Sequence, residues 1–214
     1  MDGVPVLSST SPFRNVALVM RRGCAVCGFE MPRGRPVYRA FAQGDAATIR
    51  MYQRPLANDR DVPMHLSCVL YSAMVCPYLR EKTSRLGGEN TINPGRRRGG
   101  MAAVLGFEDF GLMVYAGPHH FLDSAFPAPN VPYVGLVEDI PYRDGGELAD
   151  RYAAAVVSDS EVIDTSVERC FWSDSVHDQR QLDRAVQSAA RVIRDSLPVR
   201  ELKFEGSQFN LYRF

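Results

Sequence analysis

Four side chains able to hold a soft metal occur in two tight pairs: Cys24 and Cys27, followed by Gly28, and His65 and Cys68. A Cys-x2-Cys step that ends in glycine folds as a tight knuckle, with both sulfurs facing one point. Residues three apart on a helix share a face, so a first helical turn carrying His65 and Cys68 completes a Cys3His tetrahedron. Thiolate and imidazole favour zinc over magnesium or calcium, and four protein ligands leave no open position for water. The spacing therefore predicts a structural Zn2+ site, with an iron–sulfur or other soft-metal occupant as the lesser alternative. Cys76 falls outside this set, because on a continuous helix it would lie about 12 Å along the axis from Cys68. It reads as a buried free thiol beside Tyr78 and Leu79, with a substitute-ligand or redox role as the sharper alternative.

These ligands need elements to position them. The β-branched run at residues 15–20 reads as a strand delivering the knuckle, broken by Arg21-Arg22-Gly23. A turn-rich basic loop at 31–36 follows, then strands at 37–42 and 48–53 joined through Gly44-Asp45 as a hairpin. Pro63 precedes a helix that starts at His65, carries Val69, Ala73 and Leu79 as its apolar stripe, and meets a stop or kink at Pro77. Knuckle, hairpin and helix in this order make a treble-clef-like zinc module.

A resemblance extends the ligand assignment. Cys24-x2-Cys27-Gly28, His65-x2-Cys68 and the run Tyr71-Ser72-x3-Cys76-Pro77-Tyr78-Leu79 resemble a group of uncharacterised actinobacterial and actinophage proteins. The likeness covers roughly residues 20–80. Farther on, Trp172-Ser173-Asp174 departs from that group, whose tryptophan is followed by Tyr and a Gly-Arg pair. The resemblance implies the ligand set and no activity.

Length and charge bound the remainder. With 214 residues, the chain suits one large domain or two small ones, and it buries a core without needing the metal. Lys+Arg and Asp+Glu are equal at 25 each, which predicts neither a nucleic-acid coating protein nor an acidic-substrate binder and leaves any electrostatic partner to a local patch. No run approaches the roughly 18 apolar residues of a membrane span, and residues 1–5 lack the basic and apolar regions of a secretory signal. Together with five cysteines that need no disulfide framework, this points to the cytoplasm.

Residues 83–100, rich in Gly and Arg, read as a linker or loop between the zinc module at 13–82 and an α+β unit at 101–214, with a single domain packed from both as the alternative. Arg96, Arg97 and Arg98, with Arg33, Arg35 and Arg39, offer a basic surface for nucleic acid or a protein partner, although no aromatic residues interleave the loop for base stacking. No Walker-type glycine loop is present.

In the second unit, strands are expected at 101–107, 112–115, 133–139 and 161–168, with breaks at 108–111 and 141–146 and a short helix at 147–157. Asp109-Phe110-Gly111 is a chance match to a kinase triplet, since the other kinase elements are absent. His119, His120 and Asp123 form the one cluster with catalytic potential, as a metal site or as a base with its orienting carboxylate. Cys170 and His177 are a weaker nucleophile–base pair. A long amphipathic helix at 179–196, capped by Ser175 or Asp178, and a terminal hairpin at 199–214 close the chain. The leading expectation is a zinc-stabilised binding or adaptor protein; a metal-assisted hydrolytic enzyme acting through His119, His120 and Asp123 is the alternative.

Overall fold

The computed structural model describes residues 11–52, 57–59, 61–86, 95–115, 130–204 and 207–213. It is a mixed α+β structure. The first helix, α1 (Pro12–Met20), occupies the run expected as a strand. Pro12 sits at its first position, where a missing N–H costs nothing, and Val16, Ala17 and Val19 are buried. A short apolar run carries no periodicity that separates strand from helix, and here packing against the C-terminal helix decides for the helix. Arg22, at φ 48°, turns the chain out of α1.

Strand β1 (Val37–Phe41) forms as expected, but residues 43–52 are helical rather than the second arm of a hairpin. Gln43, Ala46 and Ala47 favour a helix over the β-branched signal of Thr48 and Ile49, and Ala46 is fully buried. This helix, α2 (Gln43–Tyr52), leads to the short strand β2 (Ala57–Asp59). The partner of β1 before the ligand helix is instead Met64, which exchanges both backbone hydrogen bonds with Tyr38 at 2.9 Å. Next come α3 (Leu66–Val75) and the short α4 (Pro77–Arg80), separated at Cys76 as Pro77 requires.

The central sheet has the order β1-β3-β5-β2 and is antiparallel throughout. Strand β3 (Ala102–Phe110) runs through the expected turn as far as Gly111, and β4 (Leu112–Tyr115) follows. Strand β5 (Val131–Tyr142) likewise continues past Pro141, which is tolerated because β2 covers only residues 131–133 of its outer edge. A 3-10 turn at Gly145–Leu148 leads into α5 (Ala149–Ser160), and Leu148 of the turn and Tyr152 and Ala155 of the helix face the core. The strand expected at 161–168 is absent. Asp164 there accepts hydrogen bonds from the Ser166 N–H and hydroxyl at 2.9 and 2.6 Å, a local turn that competes with extended pairing.

Helix α6 (Val176–Asp195) buries Leu182, Val186, Ala189 and Ile193, and the Ser175 hydroxyl accepts the Asp178 N–H at its start. The hairpin β6 (Arg200–Phe204) and β7 (Ser207–Tyr212) joins β4 in a second sheet of order β4-β7-β6. Because β1 pairs with β3 over five residue pairs, segments on both sides of residues 83–100 share one sheet. One cluster of buried side chains runs from Ala17 to Tyr212. Among the described residues, no helix is long and apolar enough to cross a membrane.

Candidate metal centre

The knuckle is built from a very small antiparallel bridge between Gly23 and Glu30. Cys24 N–H donates to the Phe29 carbonyl at 2.9 Å and Gly28 N–H to the Cys24 carbonyl at 3.0 Å, closing the turn beneath the sulfurs. Gly28 has φ +75°, and a Cβ there would meet the Cys170 carbonyl oxygen at 2.5 Å, so no other residue fits without moving the backbone. The Val26 N–H points at the Cys24 sulfur at 3.5 Å. His65 is the N-cap of α3, and Cys68 follows in the first turn. Ala25 N–H reaches the Pro63 carbonyl at 3.1 Å, tying the knuckle to the approach to that helix.

The fold therefore brings Cys24, Cys27, His65 and Cys68 together, with their ligand atoms all within 4.8 Å of one another. In a tetrahedral zinc–thiolate site, adjacent sulfurs stand about 3.8 Å apart, so this spacing closes on an ion with small side-chain movements. His65 Nδ1 lies 3.4 Å from the Cys27 sulfur, and Nε2 lies 3.2 Å from the Glu30 carbonyl. A carbonyl only accepts, so Nε2 carries the hydrogen and Nδ1 is left for the cluster. That outer hydrogen bond is the usual device for fixing the orientation and tautomer of a ligating imidazole.

Within the set, the titratable groups shift one another through shared hydrogen bonds and charge. Burial raises the Cys24 pKa, but hydrogen bonds from Cys27, Cys68 and His65 outweigh it and hold the thiol well below its ordinary range. For His65, burial disfavours the cation, yet hydrogen bonds to Cys24 and Cys27 and their charge push its pKa up to about 10. Hydrogen bonding to Cys24 and Cys27, reinforced by burial, drives the Cys68 thiol far above its ordinary value. A cation placed among these groups replaces that proton sharing and releases protons as it binds. The donor set fits a soft, borderline metal ion.

The other expected site residues fare differently. Cys76 caps the end of α3 and is not in the cluster. Arg98 is fully buried rather than on a basic surface, and its guanidinium donates to the carbonyls of Leu79, Gly99, Arg143 and Tyr142. The charge also lies 4.7 Å over the Tyr142 ring. Arg96 pairs with Asp45, Arg39 with Asp61, and Arg97 is exposed. Arg33 and Arg35 are exposed beside the knuckle. His119, His120 and Asp123 lie outside the described residues. Cys170 and His177 have separate surroundings: the Cys170 sulfur is 4.0 Å from an Arg21 nitrogen, and the His177 ring contacts the Gln181 amide.

Three contributors to the centre carry little sequence signal. The Glu30 carbonyl orients His65, the Cys170 N–H donates to the Gly28 carbonyl at 2.8 Å, and an Asp159 carboxylate oxygen accepts the Ser67 N–H at 2.7 Å. Only the last leaves a hint: a histidine ligand at the N-cap position cannot also cap its helix. No family model matches the chain, and neither the curated proteins nor the solved structures include a match.

Proposed function

We propose that Cys24, Cys27, His65 and Cys68 hold one zinc ion as a structural centre in a protein whose role is binding rather than catalysis. The observation that carries this reading is the convergence of four soft donors within 4.8 Å, from a knuckle and a helix turn far apart in sequence. Bound zinc supplies no redox chemistry, and with four protein ligands it cross-links knuckle to helix instead of activating water. The arrangement is treble-clef-like at its ligands, with the second arm of the hairpin reduced to Met64. The motif likeness to the actinobacterial and phage group supports the same ligands.

The partner face we propose is the loop after the knuckle. Arg33 and Arg35 are exposed and stand on a rim fixed by the metal, which suits an anionic surface of nucleic acid or protein. The first test is metal content per chain on the purified full-length protein. One zinc that is lost in Cys68→Ala is the expected result, and a chain that takes up no zinc overturns the reading.

A further inference from the structure

The helix that presents His65 and Cys68 cannot cap itself. His65 occupies the N-cap position, but its ring is turned to the cluster and makes no capping hydrogen bond. The first-turn N–H groups still need acceptors. Ser67 N–H, which lies between the two ligands in sequence, finds one in the Asp159 carboxylate at 2.7 Å, supplied by the end of α5. Asp159 is itself fixed there, its carbonyl accepting the N–H groups of Val162 and Ile163 at 3.1 and 2.9 Å.

From that point the chain runs to Cys170, which grips the other ligand pair. The Cys170 N–H donates to the Gly28 carbonyl at 2.8 Å, and its own carbonyl fills the space a Cβ at Gly28 would occupy. One segment thus touches both halves of the donor set, the helix pair at one end and the knuckle pair at the other.

We infer that residues 159–170 form a strap that governs how long the centre keeps its metal, with Asp159 as a positioning residue for His65 and Cys68. This inference rests on the metal reading above. Hydrogen bonds outside the ligands that fix ligand geometry change metal affinity by roughly 10–100-fold when removed. Asp159 makes no bond to the metal in this scheme; it holds the turn that carries two ligands.

The test is transfer of zinc from the loaded full-length chain to a competing chelator, with cobalt(II) absorption as a report on ligand geometry. Asp159→Ala is expected to release zinc about tenfold faster and to alter the cobalt spectrum, whereas Asp159→Asn, which keeps an acceptor oxygen, restores both. Cys170→Ala keeps the backbone N–H and is expected to leave release unchanged. Ser175→Ala, which uncaps a helix that supplies no ligand, sets the level for general destabilisation. A loaded wild type whose release rate is the same in Asp159→Ala, or is raised equally by Ser175→Ala, overturns the strap while leaving the zinc centre standing. Changed release in Cys170→Ala shifts the grip to the thiol and overturns the backbone part. A wild type that binds no zinc overturns the underlying reading and the strap with it.

Discussion

Among the described residues, two clusters of chemically capable side chains are treated by the fold in opposite ways. Cys24, Cys27, His65 and Cys68 are gathered with their donor atoms facing one point. The arginines at 96–98 are scattered, one paired with Asp45, one exposed and one buried under carbonyls. The difference lies in how each cluster encodes geometry. Two ligands a fixed step apart on a knuckle or a helix turn share a direction whatever the rest of the chain does. Adjacent long cationic side chains share none, and each goes its own way. Spacing is therefore a statement about structure, whereas a run of like charge is only a statement about composition.

Removing a ligand should produce the largest effect. Cys24→Ala or His65→Ala is expected to abolish zinc binding and to destabilise the chain by about 5 kcal/mol, below the roughly 10–16 kcal/mol of zinc-dependent peptides because an apolar core remains. For a chain of this size that is a fall of about 10–20 °C in the thermal midpoint, readable by calorimetry with and without chelator. A midpoint indifferent to both variant and chelator would erase the contrast between the two clusters.

Next in size is Arg98, the member of the charged run that the fold has turned into structure. Truncation to alanine leaves the carbonyls of Leu79, Gly99, Arg143 and Tyr142 without their common donor, the Tyr142 one in a buried setting and the others part-buried, at a cost of about 3 kcal/mol. Arg98→Lys should recover only part, since an ammonium cannot span the same fork of acceptors. Denaturant melts decide this, and a loss under about 0.5 kcal/mol would return Arg98 to the surface class.

The pH response sharpens the metal side of the comparison. In the chelated chain, His65 and Cys68 have raised pKa values, so their contributions are complete below the unfolded values and are lost as pH rises. Cys24 has the opposite sign, its contribution being lost on acidification. Around neutrality the lowered Cys24 pKa and the raised His65 pKa act in opposite directions and offset one another. Above about pH 9 the unfolded thiols ionise while the folded cluster retains protons, and stability falls. The zinc-loaded chain should be level through that alkaline range and fail on acidification, as protons compete for the ligands. Thermal midpoints across pH for both forms measure this directly, and identical profiles would contradict it.

What could be read from sequence divides along the same line. The ligand pairs, Pro77 as the stop of α3, the Ser175 cap and the stripe Leu182, Val186, Ala189 and Ile193 are local rules, and each appears in the structure. Residues 15–20 and 48–53 read as strands from sequence, but short apolar or β-branched runs take the conformation their neighbours impose. Residues 15–20 join a helix packed on α6, and residues 48–52 join a helix begun by Gln43 and Ala46. The acceptors that complete the centre, Glu30 for His65 and Asp159 for Ser67, act through a backbone carbonyl and across 92 positions. Neither has a spacing to find.

The smallest expected effect on stability, and the one that bears most on function, belongs to Arg33 and Arg35. Both are exposed on the loop leaving the knuckle, between the bridge at Glu30 and the start of β1. Replacing both with alanine should change folding stability by less than about 0.5 kcal/mol and leave zinc content unchanged. If they meet phosphates, binding to nucleic acid should weaken and the slope of log affinity against log salt should become shallower by about two charges, because two fewer counterions are released. Measuring fluorescence anisotropy on a labelled oligonucleotide at several salt concentrations reads both quantities at once. A wild type with no salt-dependent binding turns the partner search toward acidic protein surfaces, where the same pair of variants should slow association rather than speed dissociation. If the double variant binds as tightly as the wild type, the rim of the metal centre is not the contact face, and the charge that matters lies elsewhere on the chain.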